Sequence, residues 1–199
     1  VDTELQQLDL YGYSFQSISA HVDVTTDNLR VSRLRARTPA GGKIDVDLAL
    51  GFDKLDLDAT VRLDAVPVAD AFMTVLSRDA MRGKLSGAVR LKGSVDEVAL
   101  DTKADLLLSS AVLFKTRLPP NTRLTADLVI GGDEIKLDRI HATAAGVDVQ
   151  ASGLVNISTK QLQIDVAARA DHSLALIDKK LPKKLVVRGL QTNLHVAGP

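Results

Sequence analysis

The sequence predicts a mainly β protein: a large, curved antiparallel sheet with two short α-helices, built from two related repeats. Apolar and polar residues alternate along most of the chain, which is the period of a half-buried antiparallel strand. The 199 residues are 45% hydrophobic but only 3% aromatic, with no Trp, so the apolar content is almost entirely aliphatic. The same order of elements also occurs twice along the chain, which indicates a repeat architecture.

The alternation is clearest in residues 44–50 and 55–63, where every second residue is aliphatic and the residues between are mostly polar. The intervening GFDK is predicted to be a hairpin connection of about four residues. Further strands are predicted at 16–25, 28–37, 84–93, 96–108, 111–118, 122–131, 134–144, 146–157, 160–170 and 185–197. Several exceed the usual length of about five or six residues. Long strands with one polar face favour a large antiparallel sheet.

The repeat is carried by an alignment of residues 18–36 (ISAHVDVTTDNLRVSRLRA) with residues 124–142 (LTADLVIGGDEIKLDRIHA). Aliphatic positions coincide, and with a slip of one the register continues through the next two strands. Each copy then has a segment without alternation and a strand that ends in glycine. We therefore predict repeats at 1–98 and 99–199 within one continuous, elongated unit. Repeated β modules usually work through an extended surface and not through one catalytic pocket.

The alternation is interrupted at corresponding places in the two copies. The spacing of aliphatic residues becomes three between Val31 and Leu34, and again between Leu137 and Ile140. A β-bulge explains this spacing, because one extra residue restores the buried face beyond it. The alternative is two strands with a kink between them.

Two segments without alternation are predicted to be short helices, near 68–79 and near 172–180. Pro67 precedes the first, and Asp171 can cap the second. We expect both to pack against one end or face of the sheet. An amphipathic helix at a membrane surface is the alternative.

The sequence contains no recognisable catalytic or cofactor motif. The four histidines lie on separate segments, there is no cysteine, and neither a GxSxG elbow nor a phosphate-binding glycine loop occurs. His21 and His141 fall on the polar phase of their strands, where exposure to solvent is expected. The 25 basic and 25 acidic residues cancel without a basic stripe, so a nucleic-acid partner is not expected. We expect no enzymatic activity, no cofactor and no metal.

One acidic cluster is a candidate metal site, which is the alternative to the expectation that no metal binds. If 44–50 and 55–63 pair about GFDK, Asp47 is expected opposite Asp58, with Asp45 and Asp56 diagonal to them. Hard cations such as Ca²⁺ bind carboxylate oxygens. The other interpretation is a solvated face on which Lys43, Lys54 and Arg62 relieve the repulsion.

The order of elements resembles the AsmA-like and TamB-like superfamily of bacterial envelope proteins. In that pattern a strand pair leads into a Gly-Gly turn, an alternating hairpin, a short helix and a strand of the form L.G.v.l.G. The last element is present here as Leu85, Gly87, Val89, Leu91 and Gly93. The second copy departs from it, because Asn193 occupies the position of Gly87.

The resemblance implies a taco-like β groove, apolar inside and polar outside, in a periplasmic protein that is anchored in the inner membrane by parts outside this segment. It implies a non-enzymatic role in phospholipid transfer and outer-membrane biogenesis, with phospholipid or another acyl-chain lipid as the partner. The chain begins with Val1 and has no apolar run of the roughly 20 residues that cross a bilayer. We therefore expect it to be a fragment of a longer chain.

The residues expected to face the groove and contact acyl chains are Ile44, Val46, Leu48, Leu50, Leu57, Val61, Leu63, Val147, Val149, Val155, Leu162, Ile164 and Val166. A closed β-sandwich that binds a protein partner in the cell envelope is the alternative, because a packed interior requires the same aliphatic residues.

Overall fold

A computed structural model of the protein describes residues 1–10, 13–68, 81–113, 116–159, 161–170 and 190–198. These residues form one antiparallel sheet of thirteen strands. The strands are β1 (Asp2–Leu10), β2 (Tyr13–Val24), β3 (Asn28–Arg37), β4 (Lys43–Gly51), β5 (Asp56–Pro67), β6 (Met81–Ser94), β7 (Ala99–Leu113), β8 (Thr116–Arg117), β9 (Thr122–Gly131), β10 (Glu134–Ala144), β11 (Val147–Asn156), β12 (Gln161–Ala170) and β13 (Leu190–Gly198). The mainly β, antiparallel prediction is confirmed.

The sheet is an open meander. Twelve strands lie side by side in chain order, and the two-residue β8 pairs only with β7. Within the described ranges, β1 and β13 are the two edges, and extensive contacts join only strands that lie next to each other. The predicted helices near 68–79 and 172–180 lie outside the described residues, except for Val68 at the start of the first.

Strand prediction was wrong in two places. Strand β1 was missed because its positions are mostly polar and because Gln7, with φ of 54°, separates Leu5 from Leu8 by three residues. Strand β7 is a single strand where 96–108 and 111–118 were predicted as two. Ser110, with φ of 52°, causes an irregularity there that interrupts the alternation without ending the strand.

Both predicted bulges are confirmed. The register between β3 and β4 shifts between Val31 and Leu34, and the register between β10 and β11 shifts between Leu137 and Ile140. Strands β3 and β10 are each continuous through the shift, so the alternative of two kinked strands is wrong. Arg33 takes up the extra residue in β3 with φ of 55°. The aliphatic side chains on either side of each bulge therefore stay on one face.

The predicted register of the first hairpin was wrong by two residues. Residues 52–55 do form a four-residue connection, but Asp47 lies opposite Thr60 and Asp58 lies opposite Ala49. The predicted pairing of Asp47 with Asp58 therefore does not occur. The turn itself sets this register, since Leu55 has φ of 48° and lies outside the ladder, where the prediction had placed it within the strand.

The two repeats predicted at 1–98 and 99–199 stay a prediction. Strands β2 to β5 and strands β9 to β12 are each followed by a long connection, residues 68–80 and 171–189, and then by one more strand. The sheet continues across the boundary predicted at residue 98, because β6 pairs with β7 through the turn at 95–98.

The glycines of the L.G.v.l.G strand are required by its close contact with β7. Gly87 and Gly93 have φ of 135° and 147°, a region that favours glycine. A Cβ at Gly87 would collide with the carbonyl oxygen of Asp105, and one at Gly93 with that of Ala99. Both positions therefore exclude any side chain.

We expect Gly87→Ala to lower the free energy of unfolding by more than about 1 kcal/mol, because a positive φ and a backbone clash act together. Urea denaturation followed by circular dichroism would measure the change. Gly131→Ala is the control, since its Cβ would meet nothing within 4 Å. Equal effects of the two substitutions would contradict this account of β6.

Candidate functional site

A continuous aliphatic surface, here called the aliphatic face, covers one side of the sheet. Directly paired residues of neighbouring strands point to the same side, so pairing can be followed across the sheet. One such row crosses ten strands through Val22, Val31, Leu48, Ala59, Leu91, Thr102, Leu128, Leu137, Gly153 and Ile164. Only one side chain in this row carries a polar atom.

The residues predicted to contact lipid all belong to this face, in two groups. On β4 and β5 the pairs Ile44–Leu63, Val46–Val61 and Leu50–Leu57 lie directly opposite each other. On β11 and β12 the backbone of Val155 pairs with that of Leu162, and Ile164 lies opposite Gly153. Val147, Val149 and Val166 belong to the same alternation. Four strands separate the groups, so β5 and β11 are about 24 Å apart.

The intervening strands contribute aliphatic residues that the sequence prediction did not select as contacts. They are Leu85, Val89 and Leu91 of β6, Leu106 and Leu108 of β7, Leu124 and Leu128 of β9, and Leu137 of β10. The sequence contained the information to select them, because the same alternation predicted strands at 84–93, 122–131 and 134–144. The prediction used only the two hairpins in which the alternation is most regular.

Burial changes along the strands. At the end of the sheet with long connections, the side chains of Val66, Val68 and Leu85 are at most 2% exposed. Val68 and Leu85 pack with Leu106, Leu108 and Ala111 in the main core cluster. At the opposite end, where short turns join the strands, Val24 is 66% and Ile157 54% exposed. The aliphatic face is thus closed at one margin and open at the other.

Between these margins most of the face is half-buried, although Ala59 and Thr102 are only 6% and 7% exposed. Every predicted contact residue whose side chain is described is neither buried nor fully exposed, and Leu162 is described by its backbone alone. In a domain of two packed layers, residues at such central positions would be buried. Among the described residues no second sheet lies over the face. The aliphatic side chains therefore cover one another but keep an accessible surface.

Thr102 is the polar residue in the row. It is 7% exposed, and its hydroxyl has no hydrogen-bond partner among the described residues. Leu91 and Leu128 lie directly opposite it on the neighbouring strands. Thr122, at the closed margin, differs because its hydroxyl donates to the carbonyl of Pro119 at 2.9 Å.

The other side of the sheet is charged and paired. Cross-strand ion pairs join Asp45–Arg35, Asp47–Arg62, Asp58–Arg90, Asp64–Lys43, Asp105–Arg123 and Asp127–Arg139. Hydrogen bonds from the guanidinium groups of Arg62, Arg90 and Arg123 hold the pKa of their aspartate partners below the ordinary value of 3.8. The interpretation of a solvated face relieved by neighbouring cations is confirmed for Asp47 and Arg62.

The two histidines predicted on the polar phase lie on this charged side. His21 shares hydrogen bonds with Asp2 and Asp23, and His141 shares one with Asp148. In the part of the chain that is described, no group of three or more His, Asp or Glu is arranged to hold a metal ion. A depression of about 580 Å³ is lined by Arg30, Asp58 and Lys92 of the charged side and also by Leu50 and Leu57.

No family model, curated protein or solved structure matches this chain. The fold and the site define it as a single-layer antiparallel sheet with one aliphatic and one ion-paired face. None of its described segments is a helix long and apolar enough to cross a membrane.

The paired aspartates predict how stability changes at acid pH. Because their folded pKa values lie below 3.8, their contribution is complete above that value and is lost as pH falls through the folded pKa. We expect the thermal midpoint to fall between about pH 4 and pH 2. Asp58→Asn should reduce this fall, because it removes the ion pair with Arg90. Asp53→Asn should not, because Asp53 forms no ion pair with described residues. Identical pH profiles of the two variants would contradict the assignment.

Replacing Thr102 by Val should raise the free energy of unfolding by about 1 kcal/mol, because it removes a buried hydroxyl without a partner at nearly constant volume. Thr122→Val removes a hydroxyl that is hydrogen-bonded, so a loss of about 1 kcal/mol is expected. Urea denaturation of both variants tests the difference in sign. Destabilisation by Thr102→Val would show that its hydroxyl is bonded in solution.

Proposed function

We propose that this chain is a non-enzymatic segment of a periplasmic lipid-transfer protein and that it holds acyl chains on the aliphatic face. The observation that carries the proposal is an uncovered row of mainly aliphatic, mostly half-buried residues that crosses ten strands. The ligand class is phospholipid or another acyl-chain lipid, which the parent protein moves towards the outer membrane.

Such a surface suits a lipid that must move. Burial of apolar surface contributes about 25 cal/mol per Å² and has no preferred direction. Hydrogen bonds would fix a ligand in one place, but the central row offers a single hydroxyl, that of Thr102. Acyl chains can therefore exchange one set of aliphatic contacts for the next at little cost.

The proposed groove requires the sheet to curve about the aliphatic face. Twelve strands side by side correspond to about 53 Å across the sheet. The bulges in β3 and β10 supply bends, because a bulge increases the local twist and turns the strand. With curvature in this sense, the ion-paired side faces water and the aliphatic face lines a taco-shaped channel.

The predicted two-repeat organisation is consistent with the same proposal. The aliphatic face and the bulges recur at corresponding positions in both halves, whereas the acidic positions Asp45, Asp47, Asp56 and Asp58 do not. A repeat that preserves one face suggests that this face carries the function. The resemblance to AsmA-like and TamB-like proteins adds the periplasmic location and an inner-membrane anchor in another part of the parent chain.

A closed β-sandwich scaffold for an envelope protein is the second candidate. It would require central aliphatic residues such as Leu48 and Val61 to be fully buried against an opposing layer. They are half-buried. This observation favours the open face as the binding surface.

Lipid binding can be tested with purified protein and a fluorescent phospholipid. We expect saturable binding, and we expect Leu48→Asp to weaken it at least tenfold, because a carboxylate against an acyl chain is left without a partner. Photo-crosslinkers at positions 48 and 61 should capture phospholipid in cells, identified by mass spectrometry.

Ala49→Asp is the matched control. Ala49 is the next residue along β4, is exposed on the charged side, and lies opposite Asp58 and Arg30. The affinity of the Ala49→Asp variant for lipid should be within about twofold of that of the unmodified protein. The proposal fails if the unmodified protein binds no lipid, or if the two substitutions weaken binding equally.

A further inference from the structure

The five short turns at the open margin form one continuous structure, here called the turn rim: residues 25–27, 52–55, 95–98, 132–133 and 157–159. Backbone hydrogen bonds join the turns in series. Phe52 N–H donates to Asp27, Val95 to Leu55, Gly132 to Val98 and Ile157 to Asp133, at 2.7 to 3.1 Å between nitrogen and oxygen. Successive turns are two strands apart, so the rim is about 38 Å long. Its backbone is held in place by these bonds.

The rim holds half of the large apolar side chains that are exposed among the described residues. Phe52, Val95, Val98 and Ile157 belong to it and are 40–54% exposed, and Val24 precedes its first turn. Single exposed apolar residues are ordinary, but several along one margin, on turns whose backbones are hydrogen-bonded to one another, offer a partner repeated apolar contacts. Binding a partner would cost the rim little conformational entropy, because its turns are already hydrogen-bonded to one another.

The rim is also acidic. It carries Asp27, Asp53, Asp96, Glu97 and Asp133 against a single cation, Lys54, and Lys160 follows it in the sequence outside the described residues. Among the described residues these five carboxylates form no ion pair, in contrast to the paired aspartates of the charged side. Their charge is therefore available to a partner.

We propose that the turn rim docks a basic amphipathic segment of a partner protein. Apolar side chains of the segment would contact Phe52 and Ile157, and its Lys or Arg side chains would meet the free carboxylates. Charge excludes the main alternatives, because an anionic lipid surface and the same rim of a second copy would both be repelled. The inference does not depend on whether the aliphatic face binds lipid.

A labelled synthetic peptide tests the proposal. A leucine–lysine amphipathic peptide of about 25 residues forms a helix of about 38 Å, which matches the rim. Fluorescence anisotropy should detect its binding to the full chain and no binding of the leucine–glutamate counterpart. The double variant Phe52→Ser, Ile157→Ser should weaken binding at least tenfold. The charge variant Asp53→Asn, Asp96→Asn should do the same and should reduce the salt dependence.

Two control variants address sites away from the rim. Leu107→Ser removes an apolar side chain that is 40% exposed, as Phe52 is, but lies on the charged side. Asp64→Asn removes a carboxylate at the closed margin. Both should bind the peptide within about twofold of the unmodified chain, and circular dichroism should show that all variants are folded.

Three results would overturn the proposal. The rim variants could bind the leucine–lysine peptide as tightly as the unmodified chain. The leucine–glutamate peptide could bind equally well. Finally, phosphatidylglycerol vesicles could bind through Phe52 and Ile157 while the peptide does not, which would make a membrane the partner.

Discussion

The structure of this sheet depends on keeping the aliphatic side chains of every strand on the same face. Paired residues share a face, so a slip of one residue in any strand would move its aliphatic set to the charged side. Longer strands and changes of direction require extra residues, and bulges absorb them. Arg33 and Ala65 do so with φ of 55° and 52°. Such backbone costs on the order of 1 kcal/mol or more per residue, a cost that the regular pairing on both sides of each bulge offsets.

A sheet with one uncovered face is stabilised unevenly. The main buried cluster lies at the closed margin, where Val68, Leu85 and Leu106 pack together. Elsewhere most aliphatic side chains contact only the side chains beside them on the same face and stay half-buried. Backbone hydrogen bonds between strands and the ion pairs of the charged side supply the remaining order. Because folding leaves part of the hydrophobic surface exposed to water, that part remains available to a ligand. In the proposed function, acyl chains bind to this exposed apolar surface.

Period-two alternation was sufficient to predict the mainly β, antiparallel class, most strands and both bulges, because in a half-buried sheet the alternation reflects burial directly. It failed where burial does not determine structure. Strand β1 has few aliphatic residues, and Ser110 interrupts the alternation within β7. The register of the first hairpin depends on the left-handed backbone at Leu55, which no alternation reveals. For the site, both predicted hairpins lie on the aliphatic face, but hydrogen bonds that join turns distant in sequence made the turn rim invisible to a search along the chain.

The two proposed binding surfaces have geometries that allow them to act together. The aliphatic row runs across the strands, from Val22 on β2 to Ile164 on β12, which is the direction an acyl chain would take from strand to strand. The turn rim runs parallel to this row along one margin, at the ends of the same strands. A segment bound to the rim would therefore lie beside the lipid path without crossing it. The closed margin on the opposite side is built around Val66 and Leu85, so a protein docked on the rim would border the proposed lipid-binding face at its more exposed end.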